Sequence, residues 1–195
     1  MPDPKKKNVV TVVSGLPRSG TSMMMRMLEA AGLDVLTDQI READEDNPEG
    51  YYELAQVKSL VRGDQDWVPE ARGRVVKVVS PLLRYLPDDQ EYRIILMRRD
   101  MDEVLASQRE MLRRRGQPGR TSDEIRLAQL FDEDLRQIQG WMERQANVRY
   151  LQVNYNQILA DPSCELPRLA EFLGDDLNLD AMADVVNPEL YRQRG

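Results

Sequence analysis

Residues Val9 to Gly32 read VVTVVSGLPRSGTSMMMRMLEAAG, and the fold class turns on how that run is parsed. Five of its first six residues are β-branched, which fits a short strand buried on both faces. Met23, Met24, Met27, Leu28 and Ala31 then recur at helical spacing. Between strand and helix lies Ser14-Gly15-Leu16-Pro17-Arg18-Ser19-Gly20-Thr21-Ser22. A loop of this make-up leaves backbone N–H groups unpaired and aims them, with the positive end of the helix dipole, at one point in space. Such a point suits an anionic group, a phosphate above all.

Gly15 and Gly20 stand five apart, the glycine spacing of a nucleotide-binding P-loop, and Ser22 falls on that loop's hydroxyl position. Thr21, however, occupies the place of the lysine that an NTPase sets against the β and γ phosphates. Arg18 supplies a cation instead, and its planar fork can hold a phosphate or a sulfonate through two hydrogen bonds.

The run LPRSGTS resembles the 5′-phosphosulfate loop of the sulfotransferases, P-K/R-S-G-T-S/T. The resemblance implies that Pro17, Arg18, Ser19, Gly20, Thr21 and Ser22 grip the donor 3′-phosphoadenosine 5′-phosphosulfate (PAPS).

The 195 residues suffice for one α/β domain spanning 1–195, with no composition break to divide it. A hydrophobic share of 41% against 31% charged is an ordinary soluble balance, so neither a membrane nor a disordered class is indicated. No apolar run is long enough to cross a bilayer, and MPDPKKKN lacks an apolar leader core, so a cytoplasmic location and no membrane span are expected. The single cysteine, Cys164, excludes an internal disulfide and leaves the metal-ligand spacings empty. A net charge of −7 argues against a nucleic-acid partner. The grouped arginines Arg98, Arg99, Arg109, Arg113, Arg114 and Arg115 point to a small anionic ligand instead. Histidine, the commonest general base, is absent.

Along the chain, an acidic stretch from Asp34 to Glu53 follows the first helix, and Glu53 to Val61 reads as a helix with Leu54, Val57 and Leu60 inward. RVVKVV (Arg74–Val79), YRIILM (Tyr92–Met97) and VRYLQV (Val148–Val153) read as further strands. A helix follows Arg98-Arg99-Asp100, a second begins near Thr121 with Leu127, Leu130, Phe131, Leu135, Ile138 and Met142 on one face, and a third carries Leu166, Leu169, Phe172 and Leu173. Strands alternating with helices predict a mainly parallel sheet of four to five strands, covered on both faces.

Ligands of such sheets bind at the carboxyl ends of the strands, so the residues after YRIILM should share a crevice with LPRSGTS. RDMDEVLAS resembles the sulfotransferase 3′-phosphate motif, an arginine at a strand end and a serine eight residues later, which implies that role for Arg99 and Ser107. Lys77 and Pro81 match the family pattern K-x-H-x-P, although Val79 takes the histidine place. VNYNQILADP resembles the family's Y-E-D-x-x-x-D-P run, which would bring Tyr155 near the adenine. The stacking tryptophan after the first loop is missing, as is the late R-K-G segment, for which Arg192 and Arg194 or the Arg113–Arg115 run are the available substitutes.

The resemblance implies sulfonyl transfer to a hydroxyl or amine of a small-molecule, carbohydrate or lipid acceptor, without a metal. Positioning and cations where charge builds would carry the reaction, with Arg18 and Lys77 as the cations. With no histidine, the proton falls to a carboxylate, and branches of the family that lack the histidine use a glutamate after the first helix. Glu42 stands in the comparable place, 24 residues after Arg18, with Asp38 and Glu53 as competitors. Two other readings remain open: a P-loop nucleotide or metabolite kinase, weakened by Thr21 and by arginine where a magnesium-binding carboxylate is wanted, and a non-catalytic nucleotide-binding module. Acceptor identity and oligomeric state are not encoded in any motif, and Arg41, Tyr51, Tyr52 and Trp67 are only candidates for an acceptor wall.

Overall fold

The computed structural model describes residues 8–38, 40, 44, 47, 50–117, 121–174 and 176–186. The Val-rich opening run is strand β1 (Val9–Gly15), and it sits in the middle of the sheet because its residues are buried on both sides. Helix α1 (Thr21–Ala30) leads away from it to a two-residue strand β2 (Val35–Leu36), then come β3 (Val75–Lys77) and β4 (Glu91–Arg98). Two helices, α2 (Met101–Arg114) and α3 (Thr121–Arg144), precede β5 (Val148–Asn154), and the short helices α4 (Tyr155–Ala160), α5 (Leu166–Leu173) and α6 (Leu179–Asp184) follow. All pairings are parallel in the order β2-β3-β1-β4-β5, an α/β fold with helices on both faces.

Alternation along the strands divides the core. Val10, Val12, Ile94 and Leu96 face one way, against Ile138 and Met142 of α3 and against Val57, Leu60, Trp67 and Leu83. Val13, Ile95, Met97 and Val153 face the other way, against Met24, Met27 and Leu28 of α1 and against Ile158, Leu169 and Leu173. The chain leaving β1 therefore covers one face, while the helix that returns to β5 after β4 covers the opposite one. Neighbouring strands whose connections part in this way open a crevice at their carboxyl ends, and here it lies between β1 and β4. Their register aligns Gly15 with Met97, so the loop after β1 and the arginines after β4 start at one level.

Four details depart from the sequence reading. The expected strand Arg74–Val79 pairs only over Val75–Lys77, because the chain turns at Val79 into a 3-10 helix with proline in its first turn, Ser80–Tyr85. Residues Ala55–Arg62 form a 3-10 helix rather than an α-helix. Leu54, Val57 and Leu60 are spaced by three, which stacks them along one edge of a three-residue turn. Leu130 is 58% exposed, since only the second half of α3 lies on the sheet. Met25 is fully buried beside the expected Met24 and Met27, whereas Met23 is only half-buried.

Candidate functional site

The loop after β1 closes on itself before it offers anything to a ligand. The Ser19 hydroxyl donates to the Leu16 carbonyl at 2.7 Å and is 1% exposed, so it braces the turn. Gly20 is the residue before α1, at φ 94° and ψ 15°, and no side chain caps the helix there among the described residues. The first-turn N–H groups of α1 accordingly point into the crevice mouth with the positive end of the dipole. Arg18 is also in the left-handed region, at φ 70°, a conformation that costs a side-chain-bearing residue about 1 kcal/mol and persists only where surroundings enforce it.

Those surroundings come from β4 and α2. Arg99 Nη1 donates to the Arg18 carbonyl at 3.0 Å, and Arg18 Nε donates to the Ser107 hydroxyl at 2.8 Å. Arg18 thus meets Arg99 and Ser107, which lie more than eighty residues further along the chain. The Arg99 guanidinium lies 4.6 Å over the Tyr155 ring, and the ring presses in turn on Gly20, where a Cβ would stand 2.3 Å from Tyr155 Cδ2. Tyr155 is only 8% exposed, and burial raises its phenol above the usual tyrosine value against the opposing pull of Arg99. Its ring is a brace between the two arginine-bearing segments.

Two residues absent from the sequence reading complete this corner. Glu103 accepts from Arg99 Nε at 2.9 Å and from Asn156 Nδ2 at 2.8 Å, and the Asp100 N–H donates to Asn156 Oδ1 at 3.3 Å. The sequence signal for Glu103 is its place four residues after Arg99 on a helix, the spacing of an ion pair. Nothing in the sequence singles out Asn156.

On the other side of the loop, Lys77 is 8% exposed and donates to the Ser22 hydroxyl at 3.3 Å and to the Tyr51 carbonyl. Asn47 Nδ2 donates to the same Ser22 oxygen at 3.1 Å. Tyr51, 6% exposed, donates its hydroxyl to Asp44 Oδ1 at 2.6 Å. An acid is therefore held close to the segment that touches Ser22 and Lys77, and it is Asp44. Asp38 instead caps the 3-10 helix, accepting from the N–H of Ala55 at 2.5 Å, and Glu53 pairs with Lys58 at 3.6 Å. Glu42, the acid favoured by position, lies outside the described residues, as do Arg41, Arg192 and Arg194.

Trp67, offered as an acceptor wall, is a core residue at 1% exposure. Arg113 and Arg114 both bind Glu110 on their own helix and hold its carboxyl at about 2, well below the usual range. The described residues contain no group of three or more His, Cys, Asp or Glu side chains placed to hold a metal ion. No described helix is long and apolar enough to cross a membrane.

A sequence profile described as "Sulfotransferase family" matches residues 75–178, more than half of the 195 residues and the whole stretch from β3 to the end of α5. The chain belongs to the sulfotransferase family. The LPRSGTS loop lies outside that match, so the match and the loop are independent signs of the same family. The structure of this sulfotransferase is similar to the sulfotransferase domain of the Synechococcus PCC 7002 olefin synthase, at 18% identity and a TM-score of 0.53, covering 100% of this chain and 82% of that one. It is similar to sulfotransferase STF1 from Mycobacterium tuberculosis H37Rv, at 16% identity and a TM-score of 0.59, covering 92% and 70%. It is also similar to mouse sulfotransferase SULT7A1 complexed with PAP, at 17% identity and a TM-score of 0.52, covering 92% and 63%. These likenesses are of fold. A comparison with curated protein sequences gives no match.

Proposed function

We propose that this sulfotransferase takes its sulfonate from PAPS and passes it to a hydroxyl or amine of a small-molecule, carbohydrate or lipid acceptor. The observation that carries the reading is the direct contact between the two cationic cradles: Arg99 holds the Arg18 carbonyl while Arg18 holds Ser107, which supports one adenosine bisphosphate reaching both. The PAP complex of the mouse relative, similar in fold, supports the same class of donor.

In this reading Pro17, Arg18, Ser19, Gly20, Thr21 and Ser22 form the 5′ cradle, with the α1 N–H groups taking the 5′-phosphate oxygens. Arg99 and Ser107 take the 3′-phosphate, and Tyr155 braces both cradles beside the adenine. The S–O bond to the 5′-phosphate breaks as the bond from sulfur to the acceptor forms. Arg18 and Lys77 stabilise the charge that builds on the sulfonate and the leaving phosphate, in a partly dry site where such contacts count most. The acceptor's proton goes to a carboxylate of the acidic segment, Glu42 being the proposed base.

Calorimetric titration with 3′,5′-bisphosphoadenosine (PAP), 5′-AMP and ATP tests the donor. PAP is expected to bind without Mg²⁺ and at least about 100-fold more tightly than 5′-AMP, and Arg99→Ala is expected to remove that preference. Tight ATP binding that requires Mg²⁺, with no response to PAP, would refute the reading in favour of a kinase.

A further inference from the structure

Besides its bond to the Arg18 carbonyl, Arg99 is held by contacts with residues to which neither phosphate motif assigns a role. Its side chain and that of Glu103 are each 8% exposed, so the ion pair is buried. Both Glu103 oxygens are engaged, Oε2 by Arg99 Nε and Oε1 by Asn156 Nδ2. Asn156 stands beside Tyr155 at the start of α4 and accepts from the backbone N–H of Asp100 where β4 gives way to α2. Glu103 and Asn156 therefore tie the end of β4 to the segment after β5, with the guanidinium clamped between a carboxylate and a ring face.

As a source of stability this arrangement is poor. A buried ion pair sheds its hydration on both partners, and an apolar pair of similar volume often does as well or better. What the carboxylate supplies is direction: it takes one edge of the fork, bars the long side chain from swinging away, and leaves Nη1 on the Arg18 carbonyl. An arginine already ordered gives up little rotamer freedom when an anion arrives.

We propose that Glu103 and Asn156 are positioning residues for Arg99, and that through it they set the preference of the site for a nucleotide bearing a 3′-phosphate as well as a 5′-phosphate. The assignment rests on the PAPS reading above. The two residues reach the loop of residues 16–22 through Arg99, whose Nη1 holds the Arg18 carbonyl, so their effect is expected to fall mainly on the 3′ end of the ligand.

The test is the ratio of dissociation constants for 5′-AMP and PAP, measured by calorimetry on the intact chain and on Glu103→Ala, Asn156→Ala and Glu103→Gln. Both alanine variants are expected to cut the ratio about tenfold while 5′-AMP affinity moves by less than about threefold. Glu103→Gln keeps the length but turns one of the two acceptor oxygens into a donor, so only one of the two bonds can survive and the ratio should fall between those of the parent and of Glu103→Ala. Should Glu103→Ala fail to fold, Asn156→Ala carries the test. Folded alanine variants with the parental ratio, equal losses for both nucleotides, or a glutamine variant as impaired as the alanine would each overturn the assignment. A parental ratio near one has a different meaning: it refutes the PAPS reading itself, and the positioning role with it.

Discussion

Gly20→Ala, measured against Gly32→Ala, isolates the contact that binds the donor loop to Tyr155. The two glycines have nearly the same backbone, φ 94° at Gly20 and φ 96° at Gly32, so a methyl group at either site carries the same left-handed penalty of about 1 kcal/mol. Their surroundings differ. At Gly32 nothing lies within 4 Å of the new carbon, whereas at Gly20 it would stand 2.3 Å from Tyr155 Cδ2 and 2.8 Å from Cε2. The ring has little room to retreat, being 8% exposed with the Arg99 guanidinium 4.6 Å from its centroid. Overpacking of this kind adds about 1–3 kcal/mol, so Gly32→Ala should lose about 1 kcal/mol and Gly20→Ala about 2–4 kcal/mol. Urea unfolding followed by circular dichroism reads the difference as a shift of midpoint at constant slope. Because the displaced ring pushes on Arg99, Gly20→Ala should also weaken PAP binding while Gly32→Ala leaves it alone. Equal stability losses in the two variants, or an unchanged PAP affinity in a destabilised Gly20→Ala, would refute the claim that Tyr155 couples the loop to Arg99.

Other outcomes follow from single residues. The Tyr92 hydroxyl is buried with no hydrogen-bond partner among the described residues, and burial raises its phenol far above the ordinary 10.0, helped by Asp89. The native value is the higher one, so this group's contribution to stability is complete below pH 10 and is lost as pH rises beyond it toward the native value. Tyr92→Phe should therefore equal or exceed the parent by up to about 1 kcal/mol at pH 7 and show a shallower alkaline loss, read from unfolding midpoints across pH. Glu42→Gln should lower sulfonyl transfer from PAPS by about 100-fold or more, with PAP affinity unchanged. If Asp44→Asn abolishes transfer and Glu42→Gln does not, the base is the acid beside Tyr51.

Much of this arrangement is written in local sequence. Val9–Gly15 and Glu91–Arg98 are apolar enough to be recognised as strands buried on both faces, and the helix after each is marked by periodic apolar residues. Arg18, Arg99 and Ser107 could be paired in advance because the family spacing holds for both motifs. β2 escaped notice because two residues carry no periodicity, and the 3-10 helices because propensity is tuned to 3.6-residue turns. Asn156 and Asp44 were hidden for another reason, since each matters through a partner distant in sequence or through the buried setting of a neighbour, whereas Glu103 carries a local sign in its place four residues after Arg99. Asp38 accepts from the Ala55 N–H at the start of the 3-10 helix and from the Ile40 N–H, two bonds that no spacing in the sequence announces.

The pairing of Gly15 with Met97 has a kinetic side. An all-parallel sheet contains no hairpin, so β1 finds neither of its neighbours until a long intervening loop has closed, and for β4 that loop exceeds eighty residues. Such topologies fold slowly and leave apolar strands unsheltered in the meantime. The valines of β1 are the most exposed to mispairing during that wait. Since the same closure brings Arg99 to the Arg18 carbonyl, the bond that joins the two cradles can form only once the central strands have met.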